Sequence, residues 1–195
     1  MIEKKLRGYI LPNILATTGT SCYVLTDTVF ISMAEGANGI TGLNLVLPIF
    51  AITFAIGAMI GIGSATKYTL LKALGDKKTS DKYFSNSFIW SLFLSLPFLF
   101  LGIFIPDVVL RILGADEVIE TVTHTYVRII LCFSPFFMLN FTFTAFVRND
   151  NSPGIAMAAT LISGIFNIIL DYVLMFPVGM GMAGAALATG ISPIV

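Results

Sequence analysis

The sequence has 195 residues, of which 56% are apolar and only 11% charged, with 17 Phe and a mean hydropathy of +0.92. That is too apolar and too sparsely charged for an ordinary soluble domain. The formal net charge is zero, which excludes bulk electrostatic attraction to nucleic acid or another strongly charged partner, so the chain reads as an integral membrane protein.

The first apolar run, about 10–33, follows Lys4, Lys5 and Arg7. With "SMA" at its end it resembles a signal peptide, but it exceeds the usual signal core and contains Pro12 and Asp27, so it is expected to be a retained span. Further runs lie at about 45–71, 84–105, 126–146 and 155–176, and a sixth begins near 182 and stops at Val195. Each complete run is long enough for a helix that satisfies its own backbone in lipid. The predicted fold is an all-α integral membrane protein, a polytopic helical bundle of five complete transmembrane helices plus part of a sixth. The unfinished sixth run suggests a fragment of a longer chain.

The joints hold "EGANG", "GDKKTSDK", "IPDVVLRILGADE", "RNDNSPG" and "FPVGMG", all rich in turn residues. With the N-terminus inside, Lys4, Lys5, Arg7, Lys67, Lys72, Lys77, Lys78, Lys82 and Arg148 fall on the cytoplasmic side, nine of the eleven basic residues. The external joints hold Arg111 and the acids Glu35, Asp107, Asp116, Glu117 and Glu120. This asymmetry predicts a multi-pass protein of the cytoplasmic membrane with its N-terminus cytoplasmic. Arg128, near the outer end of the fourth run, can snorkel to the interface.

Two carboxylates lie well inside apolar runs, Asp27 and Asp171. On contact with lipid each costs roughly 2.5–3.5 kcal/mol even on the lenient insertion scale, so each is expected to face the bundle interior or a wet cavity. Both runs point outward. Asp27 is about 17 residues, or roughly 25 Å, along the first, and Asp171 about 16 residues, or roughly 24 Å, along the fifth. Asn167 precedes Asp171 by one turn on the same face, and Gly164 opens space beside them. On the sixth run Thr189 aligns with Gly181 and Ala185, a small-residue face that permits close approach.

Two carboxylates, an amide oxygen and a hydroxyl suit a hard cation such as Na⁺, and a desolvated carboxylate equally suits a proton. The choice between H⁺ and Na⁺ stays open at the level of sequence. A purely structural role for the acids is poorly rewarded, because polar bonds between membrane helices average only about 0.6 kcal/mol.

Other features are less specific. Pro12 is either a hinge below Asp27 or a harmless first-turn proline. Gly57 and Gly61 form a close-packing face, and "GIGSAT" lacks the phosphate-loop pattern. Tyr126 and His124 sit near the outer end of the fourth run, where a tyrosine is either a belt residue or part of the coupling or substrate path. Phe133, Phe137, Met138 and Phe141 either cover an adaptable pocket for organic cations or face lipid and neighbouring helices. Cys22 and Cys132 read as small hydrophobes, and the "NFT" triplet at Asn140 lies inside a span.

Taken in order, Pro12, "TDTVFIS", "GLNLVLPI", "GIGSAT", "LGAD", "FVRNDNSP", "NIILDYVLMF" and "GMGMAGAALATGIS" resemble the N-terminal half of multidrug and toxic compound extrusion transporters, the MATE family. The resemblance implies residues 1–195 as the first lobe of a two-lobed, twelve-helix antiporter that exports organic, often cationic, drugs in exchange for H⁺ or Na⁺. It implies a coupling site at Asp27, Asn167, Asp171 and Thr189, with Na⁺ as its possible metal, a role for Tyr126 and a bend at Pro12. It further implies small-molecule substrates, a lipid environment, no cofactor beyond the coupling ion, no enzymatic activity, and a C-terminal six-helix lobe as the missing partner.

The alternatives are a lipid-linked oligosaccharide flippase, which calls for intramembrane cations where only Arg128 is near candidacy, and an intramembrane aspartyl protease, whose Tyr-Asp and Gly-x-Gly-Asp motifs are absent. A non-transporting assembly subunit would fit the length but not the buried acids.

Overall fold

The computed structural model describes the backbone from residue 2 to residue 195 and the side chains of residue 8 and of residues 10–195. The side chains of Lys4, Lys5 and Arg7, which entered the orientation argument, lie outside the described ones. Among the described residues the secondary structure is helical throughout: α1 (Ile2–Ala73), α2 (Lys77–Phe104), α3 (Pro106–Ile112), α4 (Glu117–Cys132), α5 (Ser134–Asn149), α6 (Pro153–Met175) and α7 (Gly181–Ile191), closed by a 3-10 turn at Ser192–Ile194. The protein is an all-helical membrane bundle.

α1 is broken once, at Gly36, whose φ of 62° and ψ of −145° belong to glycine alone. The break divides an apolar stretch from Ile10 to Ala73, long enough to cross a bilayer twice, into two arms. The second arm ends at Gly75, with φ 85°, where Asp76 N donates to Leu71 O at 3.0 Å and closes the helix. Asp76 then caps α2 by accepting from Thr79 N at 3.1 Å.

α2 and α6 are each long and apolar enough to cross, and α4 with α5 pass that test together across a 49° bend. The bend sits at Phe133, just before Pro135 at the start of α5. Here the structure differs from the expected fourth run. Its helix begins at Glu117, nine residues before Tyr126, because an apolarity scan starts only after the charged turn Glu117–His124 that Asp116 caps through Ile119 N at 2.8 Å.

The packing is inverted relative to a soluble domain. Large apolar side chains such as Leu25, Met59, Ile89, Phe93 and Ile165 point outward, whereas hydroxyls, amides and two acids point in. On α2 the residues Ser80, Ser87, Ser91, Ser95 and Gly102 make a buried small-residue face, and Ser91 Oγ pairs with Thr142 Oγ1 at 2.8 Å. With no hydrophobic drive between helices in lipid, such close approach is what holds membrane helices together. Gly61 serves the same end: a Cβ there would lie 2.9 Å from Thr142 Cα.

One end of the bundle carries Lys67, Lys72, Lys77, Lys78, Lys82 and Arg148. There Lys72 pairs with Asp150, and Thr69 Oγ1 donates to Asn149 O at 3.3 Å. The other end carries Glu35, Asp107, Asp116, Glu117 and Glu120, with Arg111 Nε 3.3 Å from Glu120 and His124 Nε2 3.0 Å from Asp107. Glu120 holds the Arg111 guanidinium above its ordinary pKa through that hydrogen bond.

A candidate cation site between the first arm of α1, α4 and α6

The first arm and α6 run side by side in the same direction, and their contacts fix the register. Gly19 meets Leu161, the space beside Gly164 is taken by Tyr23 Cδ1 at 3.1 Å from where a Cβ would stand, and the rings of Phe30 and Tyr172 are 6.2 Å apart. Each pair is offset by about 142 positions, so Asp27 falls level with residue 169, midway between Asn167 and Asp171.

Burial agrees with that register. Asp27 is 8% exposed, Asn167 1% and Asp171 0%. The two carboxylates lie within Coulombic reach of each other, and the hydroxyls of Tyr23 and Tyr126 lie within reach of both. Among the described residues, buried side-chain polar atoms without a protein hydrogen-bond partner occur on Asp27, Thr123, Asn167 and Asp171. Both Asp171 oxygens and both ends of the Asn167 amide are of this kind.

Tyr126 comes from the interior of α4 and is 1% exposed, so it is a buried neighbour of the acids and not a belt residue at the interface. Thr123 lies on the same face, one turn outward. Other buried hydroxyls in the bundle find a partner, either the carbonyl four residues earlier, as Thr53 does with Ile49 O at 2.8 Å and Ser192 with Ala188 O at 2.6 Å, or a group on another helix, as Ser91 does with Thr142; Thr123 does not. It is held instead against the second arm at Gly42, where any Cβ would collide with its Oγ1.

Thr189 enters from α7, which runs antiparallel to α6. Gly184 packs on the Leu174 backbone, and Ser163 Oγ donates to Ser192 O at 2.6 Å. That register puts Thr189 level with Asn167. It is half-buried, and its hydroxyl makes no hydrogen bond to either acid.

The remaining sequence candidates fall elsewhere. Pro12 is well inside α1, which begins at Ile2 with helical backbone up to Gly36, so it is not a first-turn proline. Phe137 packs on Phe50 at 5.7 Å, Phe141 on Phe54 at 4.7 Å, and Phe133 fills the space beside Gly190; with Met138 0% exposed they pack helices together. Arg128 is exposed and turned away from the buried face of α4, and His124 faces Asp107 at the outer end. Tyr23 and Thr123 were missed, although Tyr23 sits one turn before Asp27 and Thr123 one turn before Tyr126, each on the face its neighbour uses.

Among the described residues no group of three or more His, Cys, Asp or Glu side chains is placed to hold a metal ion. The donor set is two carboxylates and a carboxamide, with hydroxyls around them. Oxygen-only donors suit a hard monovalent cation or a proton and offer nothing to a soft metal.

Comparison with known proteins identifies the family. The MatE family model matches residues 12–173, and the chain belongs to that family of membrane transporters, which are not enzymes. It is 32% identical over 195 residues to the multidrug export protein MepA of Staphylococcus aureus (strain MRSA252), a match covering 99% of this chain and 43% of the relative. To the MepA of Staphylococcus saprophyticus it is 29% identical, covering 100% of this chain and 43% of that one. The crystal structure of a MATE protein in the straight conformation superposes with a TM-score of 0.88 at 25% identity, over 98% of this chain and 42% of the other. The chain thus spans less than half the length of the relatives it matches.

Proposed function

We propose that the chain is one lobe of a cation-coupled exporter of organic, often cationic, compounds, and that H⁺ or Na⁺ binds among Asp27, Asn167, Asp171 and Thr189. The observation that carries this reading is the convergence of unpartnered buried oxygens from Asp27 and Asp171 at one level of the bundle. Left without donors, such oxygens are costly, by about 1–3 kcal/mol each and more when charged. A bound cation removes that cost and draws the first arm towards α6; its loss restores the repulsion between the two acids. The bundle therefore has two packings, and cation occupancy biases the choice.

The driving force is adequate. One proton crossing 100 mV supplies about 2.3 kcal/mol and a pH unit about 1.4, together enough for roughly a 500-fold gradient of a neutral substrate. The drug path runs between this lobe and a second of comparable size, as the length of the relatives suggests, and the N-terminus lies in the cytoplasm. Tyr126 and Tyr23 wall the site and place hydroxyls beside the acids. Pro12 leaves the Gly8 carbonyl without its helical donor and so allows the first arm to bend.

Neither a flippase nor a protease reading gains support: Arg128 is turned outward, and the acids sit in "LTDTV" and "ILDYV". Ethidium efflux by the full-length protein in vesicles, with Na⁺ and pH gradients imposed separately, tests the proposal. One gradient alone should drive uphill efflux, and efflux indifferent to both would refute it.

A further inference from the structure

A cleft of about 400 Å³, lined by neither acid, opens between the second arm of α1 and α2. Its walls include Met59, Gly63, Ser64, Tyr83, Asn86 and Trp90. Gly63 forms an open floor, since a Cβ there would meet nothing within 4 Å.

The two helices are antiparallel, with Ser80 Oγ donating to Tyr68 O at 3.2 Å. Lys67 lies one turn beyond Gly63 on the same stripe, and Lys82 one turn before Asn86 at the stripe's edge, so both cations stand at one end of the cleft. Neither takes part in an ion pair among the described residues, whereas Lys72 nearby is held by Asp150. Lys82 is within Coulombic reach of Asp76, but that carboxylate already caps Thr79 N. Asp81 falls on the opposite side of α2 from Tyr83 and Asn86.

The other end of the cleft is apolar and continuous with the outward face formed by Met59, Ile89 and Phe93. The cleft is therefore itself amphipathic: cations, Tyr83 and amide or hydroxyl groups at the basic end, then Trp90, then bare hydrocarbon. Tyr83, beside Lys82, matches the level of lipid headgroups, and Trp90 lies two turns deeper, at the level of the first acyl carbons.

We propose that this cleft is a binding site for one anionic phospholipid. Lys67 and, secondarily, Lys82 hold the headgroup phosphate, Asn86 and Ser64 supply hydrogen bonds, and an acyl chain lies over Met59 and Trp90. A free phosphate would use only the basic end, which leaves the apolar half unexplained; a phospholipid uses both.

Trp90 is the single tryptophan of the sequence and a built-in reporter. The test uses the full-length protein, with any tryptophan outside these residues replaced by phenylalanine, in phosphatidylcholine vesicles containing brominated phosphatidylglycerol or brominated phosphatidylcholine. Bromine quenches indole only at contact. The brominated anionic lipid should quench Trp90 with about fivefold higher relative affinity, one lysine's worth of attraction. Lys67→Gln should bring the ratio close to one. Gly63→Leu, which has room for its side chain but fills the floor, should do the same without a change of charge.

Equal quenching by the two lipids would overturn the proposal. So would absence of quenching by either, which would mean that protein covers the cleft, or a ratio that survives Gly63→Leu, which would reduce Lys67 to a surface charge.

Discussion

A buried oxygen with no donor is among the more expensive things a fold can hold, and Asp171 has two at 0% exposure. The sequence made this residue visible, because a carboxylate inside an apolar run is rare enough to need an explanation. Asn167 followed from helical spacing. Tyr23 and Thr123 were not legible for the opposite reason: a tyrosine or threonine in a span is ordinary, and a helix can satisfy a hydroxyl by itself, as it does at Thr53. Its unpartnered hydroxyl and its packing on Gly42, both visible only in the fold, single Thr123 out. Gly42→Ala should destabilise the bundle by about 1–3 kcal/mol, the usual cost of overpacking, and adding Thr123→Ala should recover part of the loss. Thermal unfolding in detergent measures both, and a neutral Gly42→Ala would mean that the contact is not close. At the basic end, the hydrogen bonds from Thr79 hold the Asp76 carboxyl below the usual carboxylate range. A folded pKa below the unfolded one means that the cap is at full strength above that range and weakens as pH falls through the folded value. Amide exchange at Thr79 should therefore speed up at acid pH beyond its intrinsic chemistry in the wild type. In Asp76→Asn, which caps without titrating, it should not, and equal behaviour of the two proteins would refute the capping account.

At the scale of elements, apolar runs gave the sequence reading its helices, and one departure has a physical cause. The "EGANG" joint is the break itself: Gly36, at a positive φ that glycine takes without strain, turns the chain between the two arms of α1. α4 starts before the membrane-like part of its sequence because Asp116 caps a turn that needs no lipid. That shift moves Tyr126 from the rim to the interior, which no periodicity argument would have shown. The level of Asp27 against Asp171, in contrast, followed from counting residues along two outward runs, and the Gly19, Tyr23 and Phe30 contacts reproduce it. Pro12 tests whether the first arm must bend. Pro12→Ala restores the N–H that can bond Gly8 O, so it should stiffen the helix and slow efflux several-fold while leaving cation binding to the purified protein unchanged. Unaltered efflux would assign Pro12 no part in transport.

For the whole molecule, charge placement carries the topology. Six described basic residues gather at one end and five acids at the other, as the joints suggested; at the basic end Lys72 with Asp150 ties two joints distant in sequence, and at the other Arg111 pairs with Glu120 nine residues on. The proposed orientation predicts that a cysteine at Lys78 reacts with an impermeant thiol reagent only in inverted vesicles and one at Glu117 only in intact cells. Reaction from the opposite sides would invert the molecule. The proposed cavity between two lobes was not legible in the sequence, since the chain spans 43% of the relatives' length.

The central claim is that Asp27 and Asp171 act on one cation as one unit. Groups that act as a unit are non-additive, so removing either should cost as much as removing both. The most direct measurement is cation release from the purified full-length protein on addition of drug, compared among wild type, Asp27→Asn, Asp171→Asn and the double variant. The account predicts near-complete loss in each single variant and no further loss in the double. Two independent, additive partial losses, or release at the wild-type level in Asp171→Asn, would contradict it.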